Sequence, residues 1–219
     1  VLSRKHILSG AYHEAFASAL GDVLWPLEKI EESLNDTLAA RPNSGEVWLF
    51  GYGSLIWNPL FEFDSRAVGT LHGWHRSFCL RVVAGRGSVQ RPGRMLSLEP
   101  GGYTGGVLLR LPADKVLDEL RIIWIREMVA GAYVPTWADV RLEDGRGINA
   151  LVFVANPTHP LHEPDSDIAR IASIISQASG EIGPNSDYVR KLQSSLLDYD
   201  MQDPYVDALV EELDRLDAA

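Results

Sequence analysis

Between residues 47 and 155 the chain is written as short apolar runs, each closed by Gly, Pro or an Asp-Gly pair. The strand-like runs fall at 47–50, 67–71, 78–83, 95–98, 107–111, 133–140 and 149–155. Only one stretch among them, 113–128, has helical spacing. Strands that are not separated by helices cannot build a doubly wound parallel sheet. The pattern instead predicts an α+β fold: a strongly curved mixed sheet or small β-barrel, with helices from both termini packed around it. Upstream, residues 10–40 space their apolar positions helically, and Pro26 should kink or split that helix. Downstream, helical texture returns at 167–178, 185–197 and 204–216. These shifts divide the chain into an N-terminal helical arm (1–45), a barrel core (46–160) and an acidic helical region (161–219).

Charge narrows the partners. The chain carries 30 acids against 20 bases. Thirteen of those acids, with only four bases, lie in 161–219, a balance that repels phosphate backbones and argues against nucleic acid. From Asp64 to Glu99 the sign reverses: no acid intervenes, while Arg66, Arg76, Arg81, Arg86, Arg91 and Arg94 all fall there. Such a stretch suits a small anion bearing carboxylate or phosphate, or else arginines that pair with acids elsewhere. One cysteine, Cys79, makes neither an internal disulfide nor a thiolate metal site. No apolar run approaches the roughly 18 residues that span a bilayer. The expectation is a cytoplasmic protein with no membrane contact, no metal and no obligatory protein partner.

Two local features point to chemistry. Gly51-Tyr52-Gly53-Ser54-Leu55 follows a buried strand, and its glycines permit positive φ or close approach to the backbone. Successive N–H groups in such a turn can hold a carboxylate or a developing oxyanion. A tight turn that only closes a sheet has the same composition. The second feature is Glu127. On a helix from Asp114 to Met128, residues Val116, Leu117, Leu120, Ile123, Trp124 and Met128 share one arc. Glu127 is the one charge on it, with Asp118, Glu119, Arg121 and Arg126 directed elsewhere. A carboxylate on a buried stripe is costly unless paired or placed in a cavity, and burial raises its pKa toward that of a proton carrier. A buried Glu satisfied by an arginine is the alternative. His72 and His75, three apart on a strand, make a poor metal pair. Cys79, between Phe78 and Leu80, reads as core.

Several separated motifs then occur in an order that resembles the ChaC family of glutathione-specific γ-glutamylcyclotransferases. They are Phe50-Gly51-Tyr52-Gly53-Ser54-Leu55-Ile56-Trp57-Asn58-Pro59, Gly73-Trp74-His75-Arg76, Phe78-Cys79-Leu80-Arg81, Gly85-Arg86-Gly87-Ser88 and Pro92-Gly93-Arg94-Met95. Arg126-Glu127-Met128, Tyr133-Val134-Pro135-Thr136-Trp137, Asn149-Ala150, Asn156-Pro157 and His159-Pro160 follow. The resemblance implies a β-barrel of the γ-glutamylcyclotransferase type that cleaves glutathione to 5-oxoproline and cysteinylglycine without a cofactor. It implies Glu127 as the catalytic carboxylate and the Gly51–Leu55 turn as the γ-glutamyl site. Arg81, then Arg76, are the arginines expected at the substrate, and Tyr133 is expected to add a hydrogen bond. Cyclotransferase action on other γ-glutamyl compounds, and a non-catalytic role in cation-transport regulation, are the competing readings.

Overall fold

The computed structural model describes residues 3–165 and 167–218. Its centre is a closed five-stranded barrel in the order β1-β3-β2-β4-β5, formed by β1 (Trp48–Gly51), β2 (Ser65–Val82), β3 (Gly93–Arg110), β4 (Tyr133–Leu142) and β5 (Gly147–Ala155). All neighbours are antiparallel except β1 and β5. Their parallel contact, Leu49 opposite Leu151, closes the ring. Closure pairs β1 with β5, the two strands that would otherwise be the edges of the sheet.

Four of the expected short strands merge into two long ones. The runs at 67–71 and 78–83 are both parts of β2, and those at 95–98 and 107–111 are both parts of β3. The polar, glycine-broken segments between them hid the continuity. The ladder crosses those segments through register shifts at His72/Trp74 and Ser77/Leu80, where bulges absorb extra residues. Gly69 and Gly106 face each other on this ribbon. A Cβ on Gly106 would lie 2.7 Å from the Gly51 carbonyl oxygen and 2.5 Å from Phe50 Cζ, so only glycine lets β1 and β3 approach this closely.

Helices α1 (Arg4–Leu8), α2 (Ala11–Leu20) and α3 (Leu27–Ala39) precede the barrel. Pro26 does split the expected 10–40 helix, standing at the N-cap of α3 after a turn of 3-10 helix. The five-residue α1, too short for a periodic pattern, was not foreseen. After β3 comes α4 (Val116–Glu127), and after β5 come α5 (Ile168–Gln177), α6 (Asn185–Leu197) and α7 (Pro204–Asp217). The last three turn Ile171, Ile175, Val189, Leu192, Leu209 and Leu213 into the same core as the barrel residues Phe50, Leu98, Leu108 and Leu151. Their acids lie on the outside. Among the described residues no helix is long and apolar enough to cross a membrane.

Helix α4 departs from the single-stripe expectation. Leu120, Ile123 and Trp124 pack on the barrel as the spacing predicts, whereas Leu117 is exposed. A second stripe, Glu119, Ile122, Arg126 and Val129, is also buried, because α1 and α2 cover it with Ile7, Tyr12 and Leu20. Glu119 and Arg126 therefore do not project to solvent. Glu119 accepts two hydrogen bonds from the Arg4 guanidinium (2.5 and 2.8 Å) and one from the Glu62 N–H (2.8 Å).

Gly106→Ala should force the strands apart and lower stability by about 1–3 kcal/mol. Urea unfolding measures this, and an unchanged midpoint would contradict the close β1–β3 approach.

Candidate active site

A cavity of about 510 Å³ opens at one end of the barrel. The turn after β1 supplies Tyr52, Gly53, Ser54 and Leu55 to its wall, the end of α4 supplies Arg126 and Glu127, and β4 begins there with Tyr133. Arg81, Tyr188 of α6 and the α2 residues Tyr12, Phe16 and Leu20 line it too. Of the residues expected at a site, Tyr52, Gly53, Ser54, Leu55, Arg81, Glu127 and Tyr133 are thus brought to one cavity. Gly51 lies one step behind, as the last residue of β1.

The turn is tight for a reason other than handedness. Neither Gly51 nor Gly53 has positive φ. A Cβ at Gly53 would stand 2.9 Å from the Tyr188 hydroxyl, and one at Gly51 3.1 Å from Leu55 Cβ, so close packing selects both glycines. Ser54–Ile56 then forms one turn of 3-10 helix, tied by Ile56 N–H to the Gly53 carbonyl (2.9 Å). Among the described residues, the N–H groups of Gly53 and Leu55 donate to no protein acceptor.

Glu127 is the last residue of α4, and its side chain is 16% exposed. Burial raises its carboxyl above the ordinary value of 4.5, and the neighbouring Arg126 opposes the rise only in part. The helix C-terminus also disfavours negative charge. Arg126 is directed largely at neutral oxygens: Nη1 donates to the Asn58 carbonyl (2.5 Å) and Nη2 to Ser54 Oγ (2.6 Å). Its Nε lies 3.0 Å from Glu127 Oε1, yet that oxygen accepts no well-formed hydrogen bond.

Three buried hydroxyls complete the polar end. Tyr52 donates to the Phe153 carbonyl (2.5 Å) and Tyr133 to the Leu96 carbonyl (3.0 Å). Burial pushes both well above the usual tyrosine range, and Tyr188, beside Ser54, up to about 12. With its proton committed to the Leu96 carbonyl, the Tyr133 hydroxyl has only acceptor capacity left.

The arginines of the acid-free stretch divide. Arg76 does not reach the cavity: it is buried, ion-paired to Asp203 (2.8 Å), and its Nε donates to the Tyr52 carbonyl (2.9 Å), bracing the turn from behind. Arg94 pairs with Glu163. Arg81 and Arg86 line the cavity, and Arg81 has no ion pair among the described residues. Cys79 lies within 4.8 Å of Glu99 and His162, but burial pushes its thiol up to about 12, as befits a protonated core side chain.

Residues 47–216 match the family model described as ChaC-like protein. The chain belongs to the ChaC family. It is 44% identical to a glutathione-specific γ-glutamylcyclotransferase of Escherichia coli (strain K12), over 99% of this chain and 94% of that one. Glutathione-specific γ-glutamylcyclotransferase 1 of Homo sapiens is 31% identical over 75% of this chain and 77% of its own length. A crystal structure of a γ-glutamylcyclotransferase specific to glutathione, from yeast, has a TM-score of 0.73. It covers 78% of this chain and 97% of that one at 20% identity, which shows the barrel fold. This ChaC cavity contains three contributors that sequence reasoning missed. Arg126 lay one residue from Glu127 but was read as directed away from the Glu127 arc. Tyr188 and the α2 face come from distant helices, and nothing in their spacing announces a ligand.

Because the folded state raises the Glu127 pKa, it binds more protons than the unfolded chain between the ordinary and raised values. Stability therefore falls as pH rises through that window. Glu127→Gln should be more stable than the parent at pH 7, with the gain shrinking as pH drops toward 4.5. Parallel urea titrations check this, and a pH-independent difference would contradict the burial argument.

Proposed function

We propose that the protein cleaves glutathione to 5-oxoproline and cysteinylglycine, with Glu127 moving the proton. The observation that carries the reading is a carboxyl held above its ordinary pKa inside a cavity, beside a turn with two uncommitted backbone donors. The names of the relatives support glutathione as the substrate.

The substrate's own α-amine is the nucleophile, so the reaction needs no nucleophile from the enzyme. Folding the γ-glutamyl chain back brings that nitrogen to the γ-carbonyl carbon, and holding it there removes most of the entropic barrier. The α-ammonium first loses a proton to Glu127. The amine then forms the ring C–N bond, the γ-carbonyl oxygen gathers negative charge, and the C–N bond to the cysteine nitrogen breaks as Glu127 returns its proton to that nitrogen. The carboxylate then takes the second proton from the ring nitrogen, which leaves the neutral lactam, and passes it to the departing amine. A carboxyl with a raised pKa suits these transfers.

The remaining residues position charge. The N–H groups of Gly53 and Leu55 are the donors for the α-carboxylate or the oxyanion. The lone pairs of Tyr133 accept from the α-ammonium. Arg81 provides a cation for the glycine carboxylate of the leaving dipeptide. Arg76 acts on the turn, through the Tyr52 carbonyl, with no contact to substrate.

Incubation with reduced glutathione should release 5-oxoproline and cysteinylglycine in equal amounts. Glu127→Gln should fold and lose about 10²–10⁴-fold in kcat. The acid limb of the parent's kcat/KM profile should lie above pH 4.5, since Glu127 accepts a proton only when ionised. A Glu127→Gln protein with full activity would refute this mechanism. A panel of γ-glutamyl amino acids separates glutathione preference from broader cyclotransferase activity.

A further inference from the structure

Helix α2 runs along the cavity and lies outside the matched region, which begins at residue 47. Tyr12, Phe16 and Leu20, four residues apart, place one helix face on the cavity. Tyr12 stands at the catalytic corner, where its hydroxyl donates to the Arg126 carbonyl (3.2 Å). Phe16, its ring 4.8 Å from that of Tyr12, leads away toward the opposite rim. There a Cβ on Gly85 would lie 3.9 Å from Phe16 Cζ and 3.1 Å from Ile182 Cδ1. Phe16 is half-buried although it is aromatic, because one side faces the cavity.

The two ends of the cavity therefore differ in chemistry. Glu127, Ser54, Tyr52 and Tyr133 make one end polar; Phe16, Leu20, Val83 and Ile182, with the charged Arg81, Arg86 and Glu181 about them, make the other. A γ-glutamyl group carries an ammonium and a carboxylate and belongs at the polar end. The residue joined to it must then lie along α2, with the carboxylate of the glycine that follows it toward the arginines.

We propose that α2 is the specificity wall of the active site, with Phe16 as the residue that contacts the side chain next to the γ-glutamyl group. The wall accepts a small uncharged side chain such as that of cysteine. It discriminates against a missing side chain, which leaves Phe16 uncovered, and against a charged one, which would lose its hydration against the Phe16 ring before reaching the charged groups at the rim. The helix is anchored at both ends. Arg4 of α1 is ion-paired to buried Glu119, and past the end of α2 the Trp25 N–H donates to the Val129 carbonyl (2.9 Å). The proposal rests on the γ-glutamylcyclotransferase reading.

The test compares glutathione with γ-glutamylglycylglycine and γ-glutamylglutamylglycine, which keep the terminal glycine and change only the middle side chain, as substrates of the parent, Phe16→Ala and Phe16→Leu, with thermal melts confirming that each variant folds. The parent should prefer glutathione over both others. Phe16→Ala should lose about tenfold in kcat/KM for glutathione, through KM, and keep its rate on γ-glutamylglycylglycine, so that the preference collapses; Phe16→Leu should restore most of it. A parent without preference, or an equal loss on every substrate, overturns the wall. Should the parent release no 5-oxoproline from any of them, the catalytic reading fails by itself. Calorimetric binding of glutathione then decides the wall: about tenfold weaker binding by Phe16→Ala supports it, and equal or absent binding overturns it.

Discussion

The guanidinium of Arg126 joins the two parts of the polypeptide on which the site depends. It projects from the end of α4 and donates to the Asn58 carbonyl and the Ser54 hydroxyl, so the helix and the glycine turn share one fixed point. Its position also sets the electrostatics of the neighbouring residue. An arginine near a helix C-terminus is favourable and a glutamate there is not. Because the Arg126 donors are directed at neutral oxygens, Glu127 sits 3.0 Å from a cation without a well-formed hydrogen bond from it. The carboxyl feels partial compensation and keeps a raised pKa. A bidentate pair would have pulled it down.

The barrel, its inserted helix and the three C-terminal helices were legible in the sequence because each rests on local periodicity or punctuation. What was not legible depended on partners remote in the chain. The continuity of β2 and β3 could not be seen through His72-Gly73-Trp74-His75, since a bulged ladder leaves no alternation. The second buried stripe of α4 was not read as buried, because Glu119 and Arg126 are charged. Only the tertiary arrangement, with Arg4 on one and the 54–59 turn on the other, offsets the cost of burying them. Glu127 and the Gly51–Leu55 turn stood out for the opposite reason: each breaks a local rule, and breaks of that kind gather where function overrides folding preference.

The arginine-rich stretch shows how far composition reaches. Its six guanidiniums shared one cause in the sequence and have several fates in the fold. Arg76 and Arg94 are buried against acids, Arg66 stacks over Phe63 and Tyr199, and Arg81 and Arg86 reach the cavity. Asp203 and Glu163, the partners of the buried two, lie far along the chain in its acidic last third. The net −9 of residues 161–219 is therefore not only a solvated surface: part of it neutralises the barrel's internal cations.

That division makes the N-terminal arm a matter of electrostatics as well as packing. With its second stripe bare, α4 would expose Ile122, Val129 and the backbone around Arg126 to water, and Glu127 would gain solvent on the side that Tyr12 now covers. A more hydrated Glu127 would return toward the ordinary carboxylate range, and its geometry beside the turn would no longer confer a raised pKa. The barrel brings Glu127 and the Gly51–Leu55 turn together, while α1 and α2 supply part of the dryness that raises the Glu127 pKa. Segment 3–20 thus belongs to the site by physics even though it shares no strand with the barrel.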